Sequence, residues 1–215
     1  MSIERLGQAC VALSAVILAS SVQIAAAGNI LEDPSFEVPK VPRGAYAKFL
    51  TGSTLGTCGL AMPGSVGYQM GCWRVFGGDV DVASSGYWDA KGGKQSLELN
   101  GTINRQVLQL YAAQPNTTYQ LSFWLAGDPF RAGTVSLLAV QEQFDGTGTY
   151  ITGQTIGTYN FDTTGHTADD MGYQLVTGSF TTGPNTAYLD VEFQSLTYDV
   201  SAPWWGPVVD QVTLK

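Results

Sequence analysis

The chain has 215 residues with 18 acidic and 10 basic side chains, which give a formal net charge of −8 at pH 7. The chain is acidic and has no stripe of basic residues that could neutralise phosphates. Nucleic acid is therefore an unexpected partner. With 44% hydrophobic residues, 13% charged residues and 26 glycines, its composition is that of a folded, turn-rich β protein and excludes a disordered chain.

Residues 1–27 are predicted to be a signal peptide that is removed on export. A charged start precedes an apolar run from Ala9 to Val22, and Ala25 and Ala27 supply the small residues of a cleavage site. A retained transmembrane helix is the weaker alternative, because the run is shorter than the roughly 20 residues that cross a bilayer. Residues 28–215 are therefore predicted to form one secreted domain without a membrane anchor.

Two cysteines, Cys58 and Cys72, remain after the signal peptide, and an even number in an exported chain suggests one disulfide. The bridge would close a loop of about 14 residues, worth on the order of 3 kcal/mol. Two free thiols are the alternative. Zinc is not expected at this pair alone, because zinc takes four ligands and His166 is the only histidine.

From residue 28 onward, apolar residues recur with the period of two that is typical of β-strands, and no helical stripe is found. The predicted strands are 73–76, 79–82, 96–99, 106–111, 119–125, 134–140, 155–161, 173–180, 187–193 and 208–214. Short strands separated by Gly, Asn, Asp and Pro turns favour an all-β sandwich. The segment from Arg43 to Gly71 lacks this alternation, so we predict a long loop there, held by the disulfide.

The last predicted strand, 208–214, contains an acid in an apolar phase, because Asp210 alternates with Val212 and Leu214. A buried carboxylate must be paired, hydrogen-bonded or metal-bound, since burying it bare costs several kcal/mol. Its predicted partner is the segment 29–37, which contains three acids. The two ends of the mature chain are therefore predicted to meet and close the fold.

Several short segments, in the same order along the chain, carry a resemblance to a known family. They are 29–37 (NILEDPSFE), 73–81 (WRVFGGDVD), 87–90 (YWDA), 95–101 (QSLELNG), 119–123 (YQLSF), 126–129 (AGDP) and 206–212 (GPVVDQV). The ordered set resembles the domain of unknown function 642 family, whose bacterial branch is called choice-of-anchor C. The resemblance implies an exported, galactose-binding-domain-like jelly-roll β-sandwich that acts in cell walls or extracellular matrix and has affinity for polysaccharide.

Two departures from the family pattern qualify the resemblance. Asp33 and Pro34 stand where the family usually has Asn-Gly, so the first turn is expected to differ. The chain also shows no hydrophobic anchor before Lys215, although bacterial members often carry one. We therefore expect a freely secreted protein.

The resemblance also implies a structural calcium ion. Similar jelly-roll carbohydrate-binding modules hold calcium between a glutamate of the first motif and an aspartate of the last strand, positions that Glu37 and Asp210 occupy here. Glu32 and Asp33 are further candidate ligands, and calcium takes six to eight oxygens. In the alternative, Asp210 is a hydrogen-bonded core acid and the other three acids are solvated.

Exposed aromatic rings are candidates for a sugar-binding face, because the flat C–H faces of sugar rings pack on them while polar groups fix the hydroxyls. The candidate ligand-binding residues are Tyr87, Trp88, Asp89, Trp124, Trp204 and Trp205. Adjacent Trp204 and Trp205 cannot both face inward on a strand, so at least one is predicted to be exposed or covered by a loop. The alternative for each ring is the core, where Trp73 is predicted to lie.

Most hydrolase mechanisms are disfavoured, because the chain has one histidine and no nucleophile-elbow motif. A glycosidase needs only two carboxylates, for which Asp79, Asp81, Asp89 and Glu98 are candidates. The favoured hypothesis is a secreted, non-catalytic protein that binds extracellular polysaccharide. A structural or adhesive matrix protein that binds other proteins or itself comes second, and a polysaccharide-cleaving enzyme third.

Overall fold

The computed structural model describes residues 23–24, 28–65, 68–100 and 105–215. Apart from Gln23 and Ile24, the predicted signal peptide lies outside these residues. The described chain contains strands and no helix, and therefore no helix that could cross a membrane. The strands are β1 (Gln23–Ile24), β2 (Tyr46–Leu50), β3 (Thr54–Leu55), β4 (Trp73–Phe76), β5 (Asp79–Ser84), β6 (Gln95–Glu98), β7 (Gln106–Ala112), β8 (Thr117–Gly127), β9 (Thr134–Phe144), β10 (Tyr150–Asp162), β11 (Gln174–Thr181), β12 (Tyr188–Ser195) and β13 (Pro207–Leu214).

The strands form two sheets, which confirms the predicted all-β jelly-roll sandwich. The front sheet has seven strands in the order β1-β8-β13-β6-β5-β2, with β11 also paired to β8. The back sheet has six strands in the order β10-β9-β12-β7-β4-β3. Strands that are distant in sequence are neighbours in both sheets, and apart from the short β1–β8 contact all pairs are antiparallel.

The core lies between the inner faces of the two sheets and is rich in aromatic rings. The Trp73 ring is fully buried and packs on Phe36 and Phe193, with centroid distances of 5.3 and 6.0 Å. Phe123 of the front sheet meets Phe193 of the back sheet at 4.9 Å. These contacts join the sheets and confirm the predicted core position of Trp73.

The N-terminal segment 29–37 and the last strand are joined, as predicted. Backbone hydrogen bonds run from the Ile30 N–H to the Leu214 carbonyl at 3.0 Å and from the Val212 N–H to the Pro34 carbonyl at 2.8 Å. The Asn29 side chain donates to the Val212 carbonyl and accepts from the Leu214 N–H. The N-terminal segment is thus fastened along the last strand.

The alternation predicted for the last strand is wrong, because β13 contains a bulge. Asp210 lies opposite Trp124, but the next paired residue is Thr213, and Gln211 between them has a φ of 48°. A bulge inserts an extra residue and so reverses the phase of the side chains. Val212 and Leu214 therefore face the core, whereas Asp210 lies on the outer side of the front sheet.

The segment predicted as one long loop contains two strands, β2 and β3, so this prediction was incomplete. Thr and Lys side chains obscure the alternation of these short edge strands. The disulfide between Cys58 and Cys72 is present. It fastens the remaining loop beside β7, where the Gly71 N–H donates to the Leu110 carbonyl at 3.0 Å.

Candidate functional site

The outer side of the front sheet carries a group of acids that the strand register brings together. Asp81 of β5 lies directly opposite Glu98 of β6, and Glu98 lies opposite Val208 of β13. Because side chains alternate along a strand, Val82 and Leu97 point into the core while these two acids point outward. The sheet thus places two acids from separate strands side by side.

Three aromatic rings in mutual contact lie beside these acids. The ring of Tyr87 is 5.2 Å from that of Tyr46 and 5.4 Å from that of Phe130, measured between centroids. Tyr46 and Phe130 are 49% and 54% exposed, and Tyr87 is half-buried. We call the surface formed by Tyr46, Tyr87, Phe130, Asp81, Glu98 and Asp128 the aromatic–acid face.

Glu98 and Asp128 form a carboxyl–carboxylate pair at the base of this face. Burial, followed by the charges of Asp128 and Asp81, raises the pKa of Glu98 well above its ordinary value. Burial also raises the pKa of Asp128, to about 6. A side-chain hydrogen bond joins the two acids, and we assign Glu98 as its protonated donor. The Phe130 N–H donates to Asp128 Oδ1 at 2.8 Å, which fixes the adjacent aromatic loop.

Asp81 has a carboxylate oxygen, Oδ1, that is buried and has no hydrogen-bond partner among the described residues. Burial raises the pKa of this acid to about 6, against the opposing effects of Lys48 and Arg105. The Arg105 guanidinium also has two buried nitrogens without a partner in the described chain. Lys48 pairs with the neighbouring Asp79 at 2.8 Å. Asp81 therefore offers an acceptor that no described residue uses, and it is among the charges that, after burial, raise the pKa of Tyr87.

Two tryptophans predicted to bind ligand belong to the interior instead. Trp88 is 2% exposed, and its indole N–H donates to Ser96 Oγ at 2.8 Å. Trp205 is 6% exposed and donates to the Asp128 carbonyl at 3.1 Å. Trp88 lies on the outer side of the front sheet against Tyr87 and Phe130, and Trp205 packs against Gly133 before β9, so the expected exposure is wrong for both. They support the aromatic–acid face from below.

The other predicted ligand-binding residues are dispersed. Tyr87 belongs to the aromatic–acid face. Trp204 is 44% exposed, which confirms that one ring of the Trp204–Trp205 pair is exposed. Trp124 is half-buried elsewhere on the front sheet, and Asp89 is exposed in a separate cleft. Asp89 is thus absent from the carboxylate group that the sequence suggested.

Sequence reasoning missed Tyr46, Phe130 and Asp128. Tyr46 begins β2 inside a segment that resembled a loop, and Phe130 follows a strand end, where periodicity gives no information. Asp128 does fall in the AGDP segment that carries the family resemblance. That motif was the one available signal for a functional acid at this position.

The acids proposed as calcium ligands hold one loop in place. Asp210 accepts the Gly92 N–H at 2.9 Å and the Gln211 N–H at 2.6 Å. Glu37 accepts the backbone N–H groups of Lys94 and Gln95 at 2.6 and 2.9 Å. The two acids thus bind residues 92–95 from opposite ends, which satisfies the predicted need of Asp210 for hydrogen donors.

The two remaining candidate calcium ligands lie apart from this arrangement. Asp33 accepts the N–H groups of Glu37 and Val38 within its own turn, and Glu32 is exposed. In the described part of the chain, no group of three or more His, Cys, Asp or Glu side chains is placed to bind a metal. A calcium ion at Asp210 would therefore require further oxygens from backbone or water, and calcium binding stays a prediction.

The calcium prediction is tested by melting curves. A ligand that binds only the folded state stabilises it by mass action. Added calcium is predicted to raise the melting temperature of the parent protein and to leave that of Asp210→Ala unchanged. Equal responses of the two proteins, or no response of the parent, would count against a site at Asp210.

The two-sheet architecture and the group of rings and acids on one sheet face define a jelly-roll domain with a candidate ligand-binding surface. The model of the family described as "Protein of unknown function (DUF642)" matches residues 29–215. The chain belongs to this family, as the resemblance of its segments indicated. Among curated proteins, none matches the sequence.

Several solved structures are similar to the chain at low identity. The CBM22-1 xylan-binding domain from Paenibacillus barcinonensis Xyn10C is 16% identical, with a TM-score of 0.47 over 66% of this chain and 84% of that one. TmCBM61 in complex with β-1,4-galactotriose is 17% identical, with a TM-score of 0.43 over 66% and 87%. The enzymatically active domain of tailspike protein 4 from bacteriophage CBA120 is 14% identical, with a TM-score of 0.43. The match covers 66% of this chain but only 19% of the tailspike chain.

Proposed function

We propose that this protein is a secreted, non-catalytic binder of extracellular polysaccharide and that the aromatic–acid face holds the sugar chain. One observation carries the proposal. The exposed rings of Tyr46 and Phe130 both contact Tyr87, beside Asp81, whose buried Oδ1 has no hydrogen-bond partner among the described residues. Binding sites for small ligands combine such apolar walls with a few polar groups that fix orientation. Secretion follows from the signal peptide predicted at residues 1–27.

Each part of the face has a distinct role in this proposal. The rings of Tyr46, Tyr87 and Phe130 pack on the C–H faces of the sugar. A sugar hydroxyl reaches the buried Asp81 Oδ1 once the side chains that cover it move aside, and it donates the hydrogen bond that no described residue supplies. A buried acceptor gains from such a partner, since leaving it unsatisfied costs about 1–3 kcal/mol.

The acids at the base of the face favour a neutral polymer over an anionic one. After burial, the charge of Asp128 raises the pKa values of Asp81 and Glu98, and the charge of Asp81 also raises that of Glu98. A uronic acid placed beside them would add another negative charge to a group that already disfavours ionisation. We therefore propose a neutral polysaccharide as the ligand.

The Glu98–Asp128 pair supports a non-catalytic function. A glycosidase separates its two carboxyl groups by about 5 to 9.5 Å so that the sugar and, in inverting enzymes, a water fit between them. Burial raises the pKa of Asp128 and a hydrogen bond from Glu98 opposes that rise, so this pair is too close to have a glycosidase's spacing. Their hydrogen bonds to Gly206 and Phe130 instead serve to position loops.

Removing the central ring of the face should weaken binding. Tyr87→Ala deletes the ring that contacts both Tyr46 and Phe130, so we expect about tenfold weaker retention on the bound polysaccharide. Tyr198→Ala is the matched control, because Tyr198 is 63% exposed on a different loop. Depletion isotherms on the insoluble polymer measure both variants. Equal retention of Tyr87→Ala and the parent would show that the aromatic–acid face does not bind the polymer.

The function itself is tested by pull-down of residues 28–215 on insoluble neutral and acidic cell-wall polysaccharides. We expect the protein to be retained on a neutral polymer, to release no soluble sugar, and not to be retained on the acidic polymers. Release of reducing sugar would show an enzyme. Failure to bind any polymer would favour the structural or adhesive hypothesis.

One observation favours that second hypothesis. The loop that follows β12 exposes a series of apolar side chains, namely Leu196, Tyr198, Val200 and Trp204, with exposed fractions of 47%, 63%, 79% and 44%. Exposed apolar surface of this kind often marks contacts with other proteins. Analytical ultracentrifugation of the parent and of Val200→Asp tests it, and concentration-dependent association lost in the variant would support an adhesive function.

A further inference from the structure

A second cavity lies on the outer side of the front sheet, apart from the aromatic–acid face. Its volume is about 290 Å³, and Trp124 of β8 is its aromatic member. The polar side chains that line it are Asn29, Ser35, Ser122, Gln211 and Thr213. All five are uncharged and carry hydroxyl or amide groups, which both donate and accept hydrogen bonds. This chemistry matches the hydroxyl groups of a neutral sugar.

The cavity is built by the bulge in β13. Gln211 adopts a φ of 48°, which is uncommon for a residue with a side chain and concentrates at functional sites. The bulge directs Gln211 outward, and its side chain lies against Gly92. A Cβ atom at Gly92 would come within 2.0 Å of Gln211 Nε2. Glycine at this position thus permits the close approach that holds the amide beside the cavity.

A lysine covers the aromatic floor of this cavity. The ammonium nitrogen of Lys91 lies 3.7 Å from the centroid of the Trp124 ring. It lies over one face of the Trp124 ring, in a cation–π contact that is weak for an exposed lysine. Lys91 is exposed and lies beside Gly92, so its side chain is free to move away into solvent.

We infer that the cavity is a second subsite for a neutral sugar residue and that Lys91 leaves the Trp124 ring when the sugar binds. The subsite takes its ligand class from the proposed function and adds a second contact point for the same polymer. Residues 87–91 link the two sites, because this segment supplies Tyr87 to the aromatic–acid face and Lys91 to the subsite. Two contact points on one chain would raise the overall affinity.

The experiment is isothermal titration of the mature chain with cellohexaose, xylohexaose and mannohexaose. In Tyr87→Ala, which disables the first site, we expect residual binding of one of these probes. Adding Trp124→Ala should abolish that residual binding. Adding Lys91→Ala instead should strengthen it about two- to fivefold, because the sugar no longer has to displace the cation–π contact. Lys94→Ala in the same background is the matched control and should change nothing.

Four results would overturn the subsite. Residual binding that survives Trp124→Ala would place the sugar elsewhere, and weaker binding in Lys91→Ala would make Lys91 a ligand contact rather than a cover. If Tyr87→Ala alone abolishes binding, the protein has only the first site, and the proposed function still holds. No binding of any probe by the parent would reject both. Because Lys91→Ala keeps the ring, it tests the subsite even if Trp124→Ala unfolds the protein.

Discussion

Replacing Trp88 with Ala is expected to lower the free energy of unfolding by about 3–5 kcal/mol, the usual cost of truncating a buried tryptophan. The ring is 2% exposed and packs beneath Tyr87 and Phe130, at centroid distances of 5.1 and 6.2 Å. The substitution also removes the hydrogen bond to Ser96. Urea unfolding at pH 7 measures the change.

Trp204→Ala is the control for this result. The same side chain is deleted there, but the ring is 44% exposed, so a change of about 1 kcal/mol or less is expected. Nearly equal stabilities of Trp88→Ala and the parent would show that Trp88 is not a core residue, and would return it to the candidate ligand platform.

The sequence located the parts of the fold that depend on composition and simple periodicity. The sandwich class, the disulfide, the meeting of the chain ends and the core position of Trp73 all follow from apolar alternation and pairing rules. The same rules gave the wrong orientation for Asp210, because a single bulge at Gln211 reverses the phase of every residue after it. Nothing in the local residue pattern marks that position.

Exposure of the aromatic residues was harder to predict, for a physical reason. A strand pattern shows which side of the sheet a residue faces, but not whether a loop later covers that side. Trp88 faces the outer side of the front sheet and is nevertheless buried in the hydrophobic core cluster, because the rings of Tyr87 and Phe130 pack over it. Burial on an outer face depends on long-range contacts that one sequence does not reveal.

The candidate site, like the fold, could be predicted from the sequence only in part. Three of the four carboxylates considered for catalysis, Asp79, Asp81 and Glu98, do lie together on one face. Their proximity comes from the pairing of β5 with β6, which the strand prediction left open. The rings of Tyr46 and Phe130 come from an edge strand and a loop, so only the tertiary fold assembles them with the acids.

The buried acids of the aromatic–acid face lower the stability of the folded protein when they ionise. The direction of their pKa shifts shows at which pH this occurs. Burial raises the pKa of Asp81 from 3.8 to about 6, so the folded protein resists ionisation of this group more than the unfolded chain does. The folded state therefore loses stability as pH rises from about 4 through 6, and the loss is complete above the folded pKa. One pKa unit corresponds to about 1.4 kcal/mol.

Asp81→Asn is accordingly expected to make the protein more stable at pH 8, by about 3 kcal/mol, with little difference below pH 4. The amide keeps the shape of the side chain but cannot ionise, so the desolvation cost disappears. Urea unfolding at both pH values measures the change, and Asp89→Asn, at an exposed acid, is the matched control. A variant less stable than the parent at pH 8 would show that the ionised carboxylate has a stabilising partner.

Asp81→Asn should also weaken polysaccharide retention. Measuring its stability and its retention together tests whether the aromatic–acid face binds the polymer. A structural acid that destabilises the fold without binding anything could be replaced by Asn at no functional cost. The buried Asp81 oxygen to which no described residue donates, beside exposed rings, is explained in this proposal by a ligand that supplies the hydrogen bond. Higher stability together with about tenfold weaker retention would therefore identify Asp81 as a ligand contact. Higher stability with unchanged retention would contradict that role.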